Sequence, residues 1–538
     1  MGIPSYFTHI VKSHRKIIKE YKKDNLTVDN FYLDSNSIIY DCFNVLLKND
    51  DNNNITNSSF EKLLIQNIII KIEDYINIIS PNKCVYITFD GVAPLAKLSQ
   101  QRSRRYKSWF QKKTLERLIG KKNNITWNAA AITPGTEFME ILTQKIKKHF
   151  NNKKNIKKFK IDEMLISSSD EIGEGEHKIF KYIRDNKTYH ENTTTIIYGL
   201  DADLIMLALN HIDIALNLYL YRETPHFIQT IDNTLLPNNT YLIDINKFST
   251  CLKNELIFNF KLNSNKNCIR DYVFICFMLG NDFLPHFPAL NIRTTGIDTL
   301  IDNYYNCCQK NSNFELISKN NRINWRNFRE FIGLLVENEY DLIIQEYNRR
   351  RKIIRYKKPP EGVHEIEDKL LKLPLIYRDL EEYINPFEKG WESRYYKELF
   401  DIDMDDERCK QICNNYLEGL EWTLKYYSGD CPDWEWKYKY SYPPLLKDLY
   451  KYISYFDTEY ITNSNSIAVT PLVQLTYVLP RSCLHLLPKT VMDKIGEEKL
   501  RKWYKDDYDF IWAYCKYFWE AHVIMPNIDI NELKLILS

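Results

Sequence analysis

Apolar runs alternate with amphipathic segments over about the first 300 residues of this chain. Three apolar runs that each end in an acidic residue predict buried strands: NFYLD at 30–34, KCVYITFD at 83–90 and TTTIIYGLDAD at 193–203. Longer segments with helical spacing predict helices at Ser59–Ile79, Thr136–Phe150, His177–Arg184 and over RDYVFICFMLGNDF at 270–283. This alternation indicates an α/β lobe with a mainly parallel sheet.

Polar and basic stretches interrupt this pattern. KNDDNNNITNSS at 48–59 and NNKKNIKKFK at 151–160 predict solvated surface insertions. The basic, proline-broken stretch EYNRRRKIIRYKKPPEGVHE at 346–365 is typical of a linker, and its charges favour a solvated helix end over an RNA contact. We therefore divide the chain into a first lobe over 1–345, a basic linker over 346–372 and an aromatic-rich second region over 373–538.

Acidic residues follow the predicted strands and begin one predicted helix. The carboxyl ends of parallel strands meet at one edge of a sheet, so acids placed there should share a crevice. GLDADL contributes two acids spaced by two, which would point the same way at a strand end, and GEGEHKIF contributes two more. The full set of candidate catalytic and metal-binding acids is Asp34, Asp90, Glu174, Glu176, Asp201, Asp203 and Asp282.

These acids border apolar segments, where isolated charges are costly. Oxygen ligands of this kind suit hard divalent cations, so we expect two Mg²⁺ ions, which Mn²⁺ can replace. Two such ions about 4 Å apart can support phosphodiester hydrolysis. For any single Asp, a helix cap or a strand-end turn is the better explanation, but it fits the whole set poorly.

Charge adds a second candidate site. The chain of 538 residues has a formal charge of only +2, which excludes a globally basic nucleic-acid binder and requires a local patch. PLAKLSQQRSRRYKSW at 94–109 is such a patch. If it is helical, Lys97, Gln101, Arg104 and Arg105 share a face that could hold a terminal phosphate, although a solvated basic helix is the usual explanation.

Targeting signals are not evident. No apolar run reaches the roughly 18 residues that span a bilayer, and the twelve cysteines form no disulfide-like framework. We expect a reduced, intracellular protein without a membrane partner. Cytoplasm is favoured over nucleus and a monomer over an oligomer.

The order of the motifs resembles the XRN family of 5′→3′ exoribonucleases over nearly the whole chain. MGIPSYF, LDSNSIIYDC, FDGVAPLAKLSQQRSRRYKS, ITPGTEFM, GEGEHKIFKYIR, IYGLDADLIML and VFICFMLGNDFLPHFPALNI follow the first conserved region of that family. WESRYYKELF, YLEGLEWTLKYYSGDCPDWEWKYKYSYPP and QLTYVLP follow the second. The long C-terminal extension of the larger cytoplasmic members is not matched.

The resemblance implies a flap-nuclease or PIN-like three-layer core that the mostly helical second region completes. It places the seven acids on the metal positions of the family, and Lys97, Gln101, Arg104 and Arg105 on its 5′-monophosphate pocket. Trp434 or Trp436 would lie near the entering bases. Where the family reads Asp-x-Asn-Gly-Ile-Ile-His this chain has DSNSIIY, so Tyr40 replaces a base-stacking His and Ser37 replaces Gly.

The implied function is processive degradation of single-stranded RNA with a 5′-monophosphate to mononucleotides, with decapping factors as possible partners. Two alternatives stay open. A structure-specific DNA flap nuclease would use similar acids but needs no terminal-phosphate pocket. An inactive RNA-binding scaffold would have lost one or more of the acids, and none is missing.

Overall fold

The structure is a computed structural model of the chain. It describes residues 2–48, 56–120, 127–222, 234–236, 239–258, 268–356, 363–403, 405–462 and 464–538. Within these ranges, no helix combines the length and the apolar character that crossing a membrane requires.

A seven-stranded sheet forms the centre of the first lobe. Its strands follow the order β1-β7-β6-β5-β2-β3-β4. The five strands from β6 to β4 are parallel, and β7 and β1 extend one edge in antiparallel pairing. The strands are β1 Ile18–Glu20, β2 Asn30–Asp34, β3 Cys84–Thr88, β4 Glu163–Ser167, β5 Thr194–Tyr198, β6 Asn217–Tyr221 and β7 Tyr241–Asp244, with a separate pair β8 Phe510–Ile511 and β9 His522–Val523.

Helices cover both faces of the sheet, because successive strand residues point to opposite sides. In β2, Phe31 and Leu33 join one apolar cluster, whereas Tyr32 joins the other. The helices of the first lobe are α1 Tyr6–Ser13, α2 Asn36–Lys48, α3 Asn57–Ile79, α4 Leu95–Ile119, α5 Glu137–Phe150, α6 Lys153–Phe159, α7 Gly175–Asp185, α8 Lys187–His190, α9 Asp203–Asn210, α10 Ile245–Phe258, α11 Cys268–Cys276 and α12 Gly296–Lys310.

The rest of the chain is mostly helical and shares the larger apolar cluster with the first lobe. A smaller cluster joins the start of α4 to α20 and to the C-terminal helices. These helices are α13 Trp325–Tyr356, α14 Val363–Leu371, α15 Leu373–Ile376, α16 Asp379–Ile384, α17 Trp391–Phe400, α18 Asp406–Ser428, α19 Leu446–Tyr452, α20 Pro471–Val478, α21 Lys489–Ile495, α22 Glu497–Trp503 and α23 Ile530–Leu537.

The predicted fold class is confirmed: a mainly parallel sheet lies between helical layers, beside a mostly helical second region. The three predicted strands appear as β2, β3 and β5, and the predicted helices at 59–79, 136–150 and 177–184 as α3, α5 and α7. The helix predicted over 270–283 is confirmed only in part, because α11 ends at Cys276 and a short 3₁₀ turn ends at Leu279. The basic stretch at 94–109 is helical, within α4. The proposed domain boundaries stay a prediction.

The structure bears on both polar stretches. The stretch at 151–160 is mostly exposed at the surface, as expected, and α6 forms within it and buries Phe159. The basic stretch at 346–365 contains a helix end, as favoured, because α13 continues to Tyr356. Within it Arg350 is buried and donates to both oxygens of Glu381. Residues 49–55 of the first polar stretch lie outside the described residues.

Candidate active site

Three carboxylates meet where β2, β3 and α7 come together. Asp34 is the last residue of β2, Asp90 follows β3 by two residues, and Glu176 lies in the first turn of α7. One oxygen atom from each lies within 4.8 Å of the others. The parallel register of β2 and β3, with Asp34 opposite Thr88, brings the strand ends together as the sequence predicts.

Backbone and amide groups hold Asp90 in place. The Gly175 N–H donates to Asp90 Oδ1 at 2.8 Å, and Asn36 Nδ2 donates to Asp90 Oδ2 at 2.5 Å. A Cβ atom on Gly175 would lie only 2.5 Å from Asp34 Oδ1. The glycine therefore lets the start of α7 approach the two aspartates closely.

Lys97 links two further acids on the other side of this cluster. Its Nζ atom lies 2.6 Å from Glu174 Oε2 and 2.8 Å from Asp282 Oδ2. Gln100 Nε2 donates to Asp282 Oδ1 at 3.3 Å. Burial opposes ionisation of Asp282, but the Lys97 charge holds the pKa of its carboxyl well below the usual range. The lysine thus neutralises acids that would otherwise repel each other.

Not all of the negative charge is compensated by Lys97. Burial raises the pKa of Asp34, and the neighbouring Asp90 and Asp201 raise it further. Burial and the neighbouring Glu174 likewise raise the pKa of Glu176. Such shifts indicate a site that lacks positive charge in its metal-free form.

The residues present fit hard divalent cations. Within the described part of the chain, Asp34 Oδ1 is buried and has no hydrogen-bond partner. Its neighbours Asp90 and Glu176 offer oxygen atoms within 4.8 Å of it, and a second possible group of Glu174, Glu176 and His177 adds one imidazole to the carboxylates. Mg²⁺ and Mn²⁺ prefer such oxygen donors, whereas zinc prefers nitrogen and sulfur.

Asp201 and Asp203 differ in their surroundings, and this corrects the expectation that both lie at a strand end and point the same way. The strand β5 ends at Tyr198, so these acids do not alternate along a strand as GLDADL suggested. Asp203 is instead the buried first residue of α9, and Asp201 precedes it on an exposed turn. Burial and the charge of Asp282 raise the pKa of Asp203 to about 7.

Helix α4 places its basic residues in different surroundings. Lys97 lies among the acids, and Gln101 is buried one turn further along. Arg105 donates to the carbonyl oxygens of Ala130 at 3.3 Å and Ile132 at 3.4 Å, and Tyr40 lies beside it. Arg105 Nε is buried and has no hydrogen-bond partner among the described residues, so the place of Arg105 in the phosphate pocket stays a prediction.

Arg104 has a different environment. It lines a cavity of about 530 Å³ together with Gln100, Ser103, Lys107 and Asp282. No ion pair or hydrogen bond engages its guanidinium among the residues that the structure describes. Within the described residues, Arg104 is therefore available to an anion beside the acids.

The second region anchors α4 along its length. The Leu95 N–H at its first residue donates to the Trp434 carbonyl oxygen at 2.9 Å. Arg102 donates to the carbonyl oxygens of Pro526 at 2.8 Å and Trp503 at 3.1 Å. Lys107 Nζ donates to the carbonyl oxygens of Trp519 at 2.7 Å and Ala521 at 2.9 Å. These two cations have structural acceptors, unlike Arg104.

The two candidate tryptophans separate clearly. Trp436 is buried, stacks on Trp422 with ring centroids 5.2 Å apart, and donates to Glu418. It belongs to the core. Trp434 is half-buried, and no ring contact of its side chain is found in the described ranges. Of the two, Trp434 is the residue whose ring is open to a ligand.

Sequence reasoning missed Asn36 and Tyr426, which both contact the acids. The Tyr426 hydroxyl donates to Glu174 Oε1 at 2.8 Å from α18. Asn36 has a local signal, because it follows Asp34 at the start of α2. Tyr426 has none, since it lies 252 residues from Glu174 in an aromatic-rich helix.

Comparisons with known proteins agree along the whole chain. Residues 1–224 match the family model described as the XRN 5′-3′ exonuclease N-terminus. Residues 262–372 and 358–536 match the model described as the Xrn1 helical domain.

Among curated proteins, 5′-3′ exoribonuclease 1 of Saccharomyces cerevisiae is 25% identical over 99% of this chain and 43% of its own length. 5′-3′ exoribonuclease 2 of Gallus gallus is 26% identical over the full chain and 70% of its own length. The human 5′-3′ exoribonuclease 1 is 27% identical over 99% of this chain, which spans 34% of that protein. The chain thus spans less than half of the yeast and human relatives.

Among solved structures, the catalytic core of Rad2 in complex with a DNA substrate matches 68% of this chain and 85% of its own, at 12% identity and a TM-score of 0.34.

Proposed function

The chain belongs to the XRN family of 5′-3′ exonucleases, and from this premise we propose that it degrades single-stranded RNA from a 5′-monophosphate end to mononucleotides. The observation that carries the proposal is the acid cluster of Asp34, Asp90 and Glu176, two of them buried and Asp90 half-buried, beside Arg104, whose guanidinium no described residue engages. Relatives named as 5′-3′ exoribonucleases match the chain over its full length and support the substrate class.

In this proposal the seven acids hold two Mg²⁺ ions, and Mn²⁺ can replace them. When bound, such ions activate a water molecule and stabilise the leaving oxygen of a phosphodiester. The protein contributes the arrangement of its acids: Gly175 and Asn36 fix Asp90, while Lys97 keeps Asp282 ionised. Burial raises the pKa of Glu174, and the charge of Lys97 opposes this rise. These contacts prepare the carboxylates before substrate arrives.

Recognition of the 5′ end falls to α4. Arg104 presents a planar, permanently charged fork that can donate two parallel hydrogen bonds to phosphate oxygens. It lines the same cavity as Asp282, so a phosphate held there lies next to the acids. Gln101 and Lys97 lie on the neighbouring turns. A terminal phosphate bound in this way sets the direction of degradation, and a capped end is too large to enter.

A single set of RNAs tests the proposal. The purified protein with Mg²⁺ is incubated with single-stranded RNAs that differ only in their 5′-monophosphate, 5′-hydroxyl or capped end. A matching DNA flap substrate and an EDTA arm complete the set. We expect mononucleotides from the monophosphate RNA alone, and none in EDTA.

Other outcomes separate the alternatives. Preferential cleavage of the DNA flap junction would replace the proposal with a flap nuclease. Tight RNA binding without cleavage of any substrate would favour a scaffold. Mononucleotide release from a long RNA in the presence of excess unlabelled competitor tests processivity, because a processive enzyme finishes each bound chain.

A further inference from the structure

The metal-binding acids of the first lobe contact a helix that lies more than 200 residues away in the chain. Tyr426 of α18 donates its hydroxyl proton to Glu174 Oε1 at 2.8 Å. The other oxygen of this carboxylate, Oε2, accepts from Lys97 Nζ at 2.6 Å. Both oxygen atoms of Glu174 are therefore held, one by each region of the protein, which fixes the plane of the carboxylate.

Aromatic packing determines the direction of the Tyr426 hydroxyl. The phenol ring stacks on the His177 imidazole, with centroids 3.8 Å apart and planes inclined by 21°. The centroid of the Trp422 ring lies 4.8 Å from that of the Tyr426 ring, and the Phe283 ring meets the Tyr426 ring edge-on at a centroid distance of 5.7 Å. Since three rings surround a fully buried phenol, its side chain cannot rotate without unpacking the core.

The next residue of α18 lies against a different acid. The Tyr427 hydroxyl interacts with Asp203, and burial together with this carboxylate and Asp282 raises the pKa of Tyr427 well above its usual value. The phenol consequently keeps its proton at neutral pH. Consecutive residues of one helix thus face two acids of the candidate active site.

We propose that Tyr426 is a positioning residue that orients Glu174 for metal binding, so that α18 of the second region completes the metal site. The inference rests on the proposed metal site. A hydrogen-bond donor behind a metal ligand fixes the ligand's orientation and tunes its basicity, and loss of such a partner typically weakens metal affinity about 10- to 100-fold.

The test measures Mn²⁺ binding directly, without RNA. The metal-free full-length protein is titrated with Mn²⁺, and free Mn²⁺ is followed by electron paramagnetic resonance. Tyr426→Phe keeps the ring and removes only the hydroxyl. We expect its Mn²⁺ affinity to fall about 10-fold or more. Tyr416→Phe is the matched control, because Tyr416 is a buried tyrosine of the same helix whose hydroxyl donates to the Pro285 carbonyl oxygen at 3.0 Å.

A double-mutant comparison keeps the test independent of folding. In a Glu174→Gln background, Tyr426→Phe should cause no further loss of Mn²⁺ affinity if the tyrosine acts through Glu174. An equal loss in both backgrounds, or an equal loss in Tyr416→Phe, would overturn the proposal and indicate a general packing effect. Unchanged Mn²⁺ affinity in Tyr426→Phe would also overturn it.

The same titration separates this inference from the proposed function. If the wild-type protein binds no Mn²⁺, the proposed metal site fails and the role of Tyr426 fails with it. If the wild-type and Tyr426→Phe proteins bind Mn²⁺ equally well, the metal site stands and only the role of Tyr426 is refuted.

Discussion

Replacing Gly175 with alanine tests how closely the acids must be held. A Cβ atom at this position would lie 2.5 Å from Asp34 Oδ1 and 3.1 Å from Thr88 Oγ1. Asp34 or the start of α7 must then move by about 0.5 Å to restore a separation of 3.0 Å. Catalytic groups must be held within about 0.5 Å of their productive positions, and a shift of about 1 Å can cost about 100-fold in rate, so this displacement reaches the limit of what the site allows. We expect kcat to fall about 10- to 100-fold.

The same substitution should not unfold the protein. Alanine is favoured over glycine within a helix by up to about 1 kcal/mol, which offsets the local strain at the start of α7. Initial rates on 5′-monophosphorylated RNA at saturating Mg²⁺ measure the effect, and thermal denaturation checks stability. Gly429→Ala is the control, because its added Cβ atom meets nothing closer than the Lys425 carbonyl oxygen at 3.4 Å.

The reasoning would be refuted by a Gly175→Ala enzyme whose kcat lies within about threefold of the wild-type value. It would also be refuted if activity and thermal stability fell together, since the loss would then come from misfolding.

Further predictions concern single charges of the site. Burial and Asp282 raise the pKa of the Asp203 carboxyl to about 7, and this carboxyl must lose its proton to bind a cation. The Mg²⁺ concentration for half-maximal rate should therefore rise as the pH falls below 7. The same Mg²⁺ concentration at every pH from 8 to 6 would exclude this. Lys97→Met should destabilise the metal-free protein by about 3–5 kcal/mol at pH 8. The loss of stability should be smaller at pH 5, because the acids without their lysine have raised pKa values and take up protons. An equal loss of stability at pH 5 and pH 8 would contradict this. Arg104→Met should lower the preference for 5′-monophosphate over 5′-hydroxyl RNA about 10- to 100-fold, because charge-assisted hydrogen bonds to the phosphate are lost. Lys437→Met, in the wall of the same cavity, is the control.

The sequence sufficed for the general location of the acids. Asp34 and Asp90 follow apolar strands, and the parallel register of those strands is what places the two carboxylates together. Their convergence therefore follows from two things: both acids come at the end of an apolar run, and the carboxyl ends of parallel strands meet at one edge of a sheet.

Contacts that depend on tertiary packing could not be predicted in this way. The step of two between Asp201 and Asp203 suggested a strand, but β5 ends at Tyr198 and the buried Asp203 begins a helix. A basic helix gives no indication of which cations meet carbonyl groups, as Arg105 does, and which stay available, as Arg104 does. The acceptors of Arg105 lie 25 and 27 residues further along the chain, so these contacts become visible only in the folded protein.

The anchoring of α4 also determines how the chain can be divided. Two backbone amides at its start, those of Ala93 and Leu95, donate to Gln474 and Trp434, and the side chains of Arg102 and Lys107 take carbonyl acceptors near the C-terminus. A separately produced first lobe would expose to water the apolar residues at the start of α4 that pack against α20 and the C-terminal helices. The two halves should therefore behave as obligate fragments, each insoluble or inactive alone and recovering activity only when they are refolded together.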